Sequence, residues 1–211
     1  MAETRIPTQK RSIEKRNKII EKGFELICEK GFHNTNTNEI ANYAGVSTGI
    51  IYQYFNDKKE IFIEGVKNYS ASIMYPMLNL LENNNIDINN FSDIIESIID
   101  SNIKSHNISK KAHEELMAMS HLDEDVANAF NYYEMEITDK IVSVLENNNI
   151  RLENAKEKIH IMVALIENLC HEIIYHNHNE INYDIMKKET INIIINFLDN
   201  SKWNELFFIY I

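Results

Sequence analysis

The side chains of this sequence that could carry acid–base, nucleophilic or metal chemistry are few and poorly spaced for it. His113, Glu114, His121, His171, His176 and His178 all lie in the second half of the chain. They form no HExxH pair, and neither a tight carboxylate pair nor a nucleophile motif accompanies them. His171 and His176 are five apart, so on one helix their side chains diverge. Cys28 and Cys170 sit in separate apolar-periodic segments without paired spacing, which suggests no disulfide framework and no thiolate metal site, and fits a reducing cytoplasm. No catalytic residue, metal or cofactor is expected. An α-helical enzyme therefore ranks below two binding classes.

Charge points to binding of a different kind. The formal net charge of -11 divides into +2 over residues 1–67, with 11 Lys and Arg against 9 Asp and Glu, and -13 over the remainder, with 10 against 23. Arg5, Lys10, Arg11, Lys15, Arg16 and Lys18 open the chain. A basic leader joined to an acidic body suits a polyanion-binding head on a non-binding body, or simply a solvated basic helix face. Lys10, Arg11 and Lys15 could also reach a phosphate or the minor groove as an N-terminal arm.

The elements that must position such a head are helices. The chain has 211 residues with 44% apolar residues but only 5 Gly and 2 Pro, too few breakers for an all-β sandwich or barrel. No stretch approaches the roughly 18 apolar residues of a membrane span, so a soluble, unsecreted chain is expected. Ile20, Phe24 and Ile27 define a first helix, with Gly31 as a left-handed cap. A short helix follows Thr35 and a third runs from a Ser47 cap to about Phe55. A fourth starts near Asp57 and reaches Pro76, which should kink or end it. Five more are expected over 90–106, 109–120, 123–147, 153–176 and 183–200. The pentapeptide Glu-Asn-Asn-Asn-Ile at 82–86 and 146–150 reads as helix ends, because asparagines compete for backbone hydrogen bonds.

The informative segment is 37–55, TNEIANYAGVSTGIIYQYF. Ala41 is small where a second helix would cross, and Gly45, four residues later, can take the positive φ of a sharp turn. Val46 and Ile51 would plug the angle between the helices, while Ile40 and Ala44 complete the inner face. This is the steric pattern of a helix-turn-helix. Gly31-Phe32, Thr35, Ile40-Ala41, Ala44-Gly45-Val46-Ser47, Gly49, Ile51-Tyr52, Tyr54-Phe55 and Lys58 resemble the DNA-binding domain of the tetracycline-repressor (TetR) family. The likeness covers about residues 11–62.

That resemblance implies an all-α fold of about nine helices: a three-helix DNA-binding head over 1–56 and a ligand-binding and dimerisation domain over 57–211. By matching positions, Thr35 and Asn36 would offer the second helix's amides to a phosphate, and Ser47, Thr48 and Gly49 would open the helix that enters the major groove. Gln53 would read adenine, and Tyr52, Tyr54 and Lys58 would contact phosphates. Met117, Met119, Tyr132, Tyr133, Met135 and Met162 are candidates to line an effector pocket, though such residues also build ordinary cores. Apolar positions run nearly all round the last helix, so Ile166, Leu169, Ile173, Ile194 and Phe197 are expected in a homodimer seam. The apolar tail 203–211 would cover that seam or serve no function. The expected function is a cytoplasmic transcriptional regulator, a repressor released from an inverted-repeat operator by an apolar or cationic small molecule, with no membrane partner. The alternative is a helical ligand-binding or interaction protein without operator binding.

Overall fold

The computed structural model describes residues 7–83, 90–108 and 110–198. Among them it shows nine helices and no strand. In order these are α1 (Lys10–Lys30), α2 (Thr37–Ala44), α3 (Thr48–Tyr54), α4 (Lys58–Asn83), α5 (Phe91–Ile108), α6 (Lys110–Leu122), α7 (Glu124–Asn147), α8 (Ala155–Ile174) and α9 (Tyr183–Leu198). The chain divides into two compact units. Met1–Ala71 with Ser109–Tyr133 forms the first, and Ser72–Ile108 with Glu134–Ile211 forms the second. α4 and α7 contribute residues to both.

In the first unit, α1 buries Ile19, Ile20, Leu26 and Ile27, a stripe at helical spacing. α4 adds Ile61, Phe62 and Val66 to that core. α1 and α4 approach closely because two residues lack side chains there. A Cβ on Gly23 would stand 2.6 Å from Ile61 Cγ2, and one on Gly65 would stand 2.3 Å from the Phe24 ring. The Phe24 and Phe62 rings stack at 5.5 Å beside this crossing.

The second unit is built on an aliphatic core. Leu78 and Leu81 of α4, Ile95, Ile98 and Ile99 of α5, Ile137 and Ile141 of α7, and Ile159, Met162 and Ile166 of α8 meet there. Ile191, Ile194 and Leu198 of α9 join them, while Ile185 and Ile193 stay exposed. α9 is therefore two-sided within one chain. Its apolar residues wrap the helix only in sequence.

Several helix ends follow their local chemistry. α7 stops where Asn149 takes φ 61, with the Ile150 N–H donating to the Leu145 carbonyl at 2.9 Å and the Asn149 N–H to Glu146 at 3.0 Å. That Schellman pattern is what the 146–150 asparagines predicted. α4 passes through Pro76 without ending. Gly31 has φ 90 and ψ 143, a positive φ outside the left-handed helical region expected of it. Lys10, Arg11 and Lys15 lie on α1 and not in an extended arm. The tail 203–211 lies outside the described residues. No described helix is long and apolar enough to cross a membrane.

Candidate nucleic-acid interface

α2 and α3 are joined by a turn whose geometry is set by Gly45. It takes φ 67 and ψ 39, the left-handed region. The Val46 N–H reaches back to the Ala41 carbonyl at 2.9 Å and the Gly45 N–H to Asn42 at 3.1 Å. This is a second Schellman closure, and it spends the last carbonyls of α2 while turning the chain into α3. Ile40, Ala41, Ala44 and Ile51 are fully buried in the angle it makes. Thr48 Oγ1 donates to Asn38 Oδ1 at 2.8 Å, tying the start of α3 to α2.

Arg16 fixes the other end of α3. Its guanidinium lies 5.0 Å from the centre of the Phe55 ring and pairs with Glu64 at 2.9 Å, so one α1 side chain grips both the residue after α3 and the α4 helix. Burial alone would raise the Glu64 pKa, but Lys67 and Arg16 together outweigh it and hold the carboxyl below its usual range. Only charge hinted at Arg16. Its role as a strut needed the fold.

With α3 held this way, one of its faces meets solvent. Gly49, Tyr52 and Gln53 follow the i, i+3, i+4 spacing of a single helix face. Tyr52 is 55% exposed, Gln53 is exposed, and nothing lies within 4 Å of a Cβ built on Gly49. Ser47 holds the expected N-cap position of α3, with extended backbone, but it is exposed and makes no side-chain cap bond. Tyr54 is half-buried, its ring 6.5 Å from that of Phe55.

Three other predicted contacts are engaged by the fold itself. Thr35 is only 2% exposed, and its hydroxyl donates to the Gly31 carbonyl at 2.9 Å, so its side chain faces inward. Asn36 caps α2 in a capping box. Its Oδ1 accepts from the Glu39 N–H at 3.0 Å and its own N–H donates to Glu39 Oε2 at 3.0 Å. The Glu39 carboxylate, held below its usual pKa by Lys30 and the Asn36 N–H, already occupies the positive end of that helix. A phosphate there would meet a resident anion.

Lys58 Nζ donates to the carbonyls of Phe32 at 2.5 Å and Thr35 at 2.6 Å, with its charge 4.4 Å from the centre of the Phe32 ring. Burial lowers its pKa. The lysine expected on a phosphate is thus a clamp on the loop between α1 and α2. Glu115 of α6 takes the Phe32 N–H at 2.5 Å on the same loop, a contact without sequence signal because 83 residues separate the partners. Lys59 pairs with Asp123 and Asp125 at the start of α7. What remains outward among the α1 cations is Lys10, Arg11 and Lys18, all exposed, with Lys18 Nζ only 3.7 Å from where a Gly45 Cβ would stand.

The other predicted sets are scattered over the two units. Met117, Met119, Tyr132 and Tyr133 fall in the first unit, where Met119 is buried and Tyr132 is 65% exposed with its ring edge-on to Tyr133 at 5.4 Å. Met135 and Met162 fall in the second, Met162 in its core and Met135 at the surface. Of the predicted seam, Ile166, Leu169 and Ile194 are buried inside a single chain, and Ile173 and Phe197 are half-buried. The apolar side chains that α8 and α9 leave outside are Ile161, Ile185 and Ile193.

Residues 19–64 match the family of bacterial regulatory proteins named tetR. Over 55 residues the chain is 46% identical to the HTH-type transcriptional regulator HbdR of Aromatoleum sp. (strain CIB), covering 26% of this chain and 24% of that protein. Over 98 residues it is 30% identical to the regulator BetI of Escherichia coli O17:K52:H18, covering 46% and 49%. The chain thus spans a quarter to a half of the length of these relatives. A solved TetR-family chain from Mesorhizobium loti MAFF303099 superposes with a TM-score of 0.72 at 17% identity, covering 90% of this chain and 98% of that one. A regulator from Saccharomonospora viridis, solved in complex with choline, gives 0.59 at 18%, covering 86% and 96%. At such identities the likeness is one of fold. The matched segment contains the Gly45 turn and the exposed α3 face, so over residues 19–64 this chain is similar to the tetR family of bacterial regulatory proteins, and beyond that segment the solved structures share its helical fold.

Proposed function

We propose that the chain is a sequence-specific DNA-binding transcriptional regulator that acts as a homodimer in the cytoplasm. The observation that carries this reading is the outward face of α3. Gly49, Tyr52 and Gln53 stand in solvent, while the neighbouring Thr35, Thr48 and Lys58 side chains are bonded within the fold. A bare glycine allows a base edge to approach, Gln53 offers an amide suited to adenine, and Tyr52 offers a hydroxyl to a phosphate. Lys10, Arg11 and Lys18 supply positive charge on α1.

The dimer half of the proposal rests on Ile161, Ile185 and Ile193, large apolar side chains left exposed on α8 and α9. A two-fold dimer carries two copies of α3 and therefore reads an inverted repeat. The effector half rests on the charge of the chain beyond residue 67, which favours a cation, and on the choline held by the Saccharomonospora viridis neighbour. We propose a cationic or apolar small molecule that releases the repressor from its operator. Operator and effector must then weaken each other by one factor, about 5- to 150-fold, read by titrating the effector calorimetrically with and without operator.

The test is enrichment of genomic fragments by the purified chain under excess competitor DNA. The proposal expects a few fragments sharing an inverted repeat to survive. Recovery of no fragment above background would favour an interaction protein that keeps the head's fold without reading DNA.

A further inference from the structure

In the second unit, packing of α5 against α8 gathers three donor groups that no role above uses. His106 of α5 is buried, with its Nε2 2.9 Å from Glu167 Oε2 of α8. His171, one turn after Glu167, has its Nε2 4.0 Å from the same oxygen. The two imidazoles lie edge to face, centroids 5.6 Å apart. His106 Nδ1 is 3.0 Å from the Asn102 main-chain carbonyl. A carbonyl can only accept, so Nδ1 carries a proton, and Nε2 faces the carboxylate either with a second proton or with its lone pair. Two electron pairs at that separation need a positive charge with them. A proton can serve His106 and Glu167, but a metal ion can serve all three groups.

We propose that His106, Glu167 and His171 form a binding site for a divalent transition metal of the zinc, cobalt or nickel class. Two imidazoles and one carboxylate are the donors such ions take, and a fourth position is left for water or another ligand. Donor atoms sharing a metal at about 2.1 Å in tetrahedral geometry stand roughly 3.4 Å apart. His106 and Glu167 are already inside that span, and the nitrogen of His171, half-buried, stands about half an ångström beyond it from the same Glu167 oxygen. The Asn102 carbonyl supplies the outer contact that fixes a ligating imidazole's tautomer and orientation. Glu167 and His171 are partly exposed, which gives the ion a way in. The bound ion would cross-link α5 to α8, and this site stands independently of whether α3 reads DNA.

The sequence held half of this site. Glu167 and His171 have the i, i+4 spacing of one helix face, but His106 comes from another helix, 61 positions earlier than Glu167. The test uses the full chain, stripped with chelator and titrated with Co2+ alone and then Zn2+ alone, followed by calorimetry and visible absorption. We expect one equivalent of Co2+ to bind with ligand-field bands that Zn2+ abolishes, and Zn2+ to raise the thermal midpoint. His171→Gln, Glu167→Gln and His106→Gln should each weaken binding by about tenfold or more, the loss seen even for outer-shell partners. His178→Gln, outside the cluster, should bind as the wild type does. A thermal melt in chelator shows which variants are folded, and the partly exposed His171 and Glu167 carry the test if the His106 variant is not. No stoichiometric binding by the wild type would overturn the proposal and leave a proton as the shared charge. Binding that survives His171→Gln, or is lost in His178→Gln, would overturn it equally.

Discussion

Lys58 and Tyr52 lie in one matched segment, the first bonded inside the fold and the second open to solvent. Lys58 spends its ammonium on the carbonyls of Phe32 and Thr35. Hydrogen bonds from a charged donor contribute about 1.5–3 kcal/mol, so Lys58→Ala should lower the head's stability by roughly that amount while leaving the salt dependence of DNA binding unchanged. A thermal melt and a salt series together decide it, since loss of a phosphate contact would reduce the salt slope by about 0.9. Glu64 gives a pH prediction with a definite sign. Its pKa is held below the ordinary 4.5 by Lys67 and Arg16 against the opposing effect of burial, so its ion pairs stabilise the fold fully above that value and are lost as pH falls through the lower folded one. Glu64→Gln should therefore melt earlier than the wild type at neutral pH, with the gap closing in acid. A gap constant with pH would contradict the pairing.

At the scale of elements, the close crossing of α1 and α4 depends on Gly65, whose Cβ would sit inside the Phe24 ring's contact distance. Gly65→Ala should cost about 1–3 kcal/mol by overpacking, measured in denaturant, whereas Gly49→Ala, opening on solvent, should cost well under that. Here the limits of reading a sequence are visible in particular residues. All nine helices were legible because Ile, Leu and Phe recur at helical spacing and asparagines or glycines stop them. The Gly45 turn was legible because its sterics are local. Thr35, Lys58 and Arg16 were not, because each is defined by a partner: Thr35 by the Gly31 carbonyl, Lys58 by a loop 23 to 26 positions earlier, and Arg16 by Glu64, 48 positions later. Similarly, apolar residues around α9 told that it is packed, and only the fold told which of them face inward.

For the whole molecule, that division between inner and outer faces sets the test of assembly. Ile194 is fully buried within one chain and Ile193 beside it is 52% exposed. Ile194→Asp should cost several kcal/mol of stability by burying an unpaired charge. Ile193→Asp should leave the melt nearly unchanged and, if the proposed dimer uses this face, shift sedimentation toward a monomer. A monomeric wild type at micromolar concentration would remove the two-fold arrangement and with it the expectation of an inverted repeat.

The claim on which the rest depends is that the outward face of α3 reads bases. The most direct measurement is fluorescence anisotropy of the wild type and Gln53→Ala on an enriched genomic site and on a scrambled duplex of equal length, at matched salt. Gln53→Ala should lose about 1–3 kcal/mol on the enriched site and almost nothing on the scrambled one, because a base contact specifies and a phosphate contact does not. Equal losses on both duplexes, or no loss on either, would contradict it.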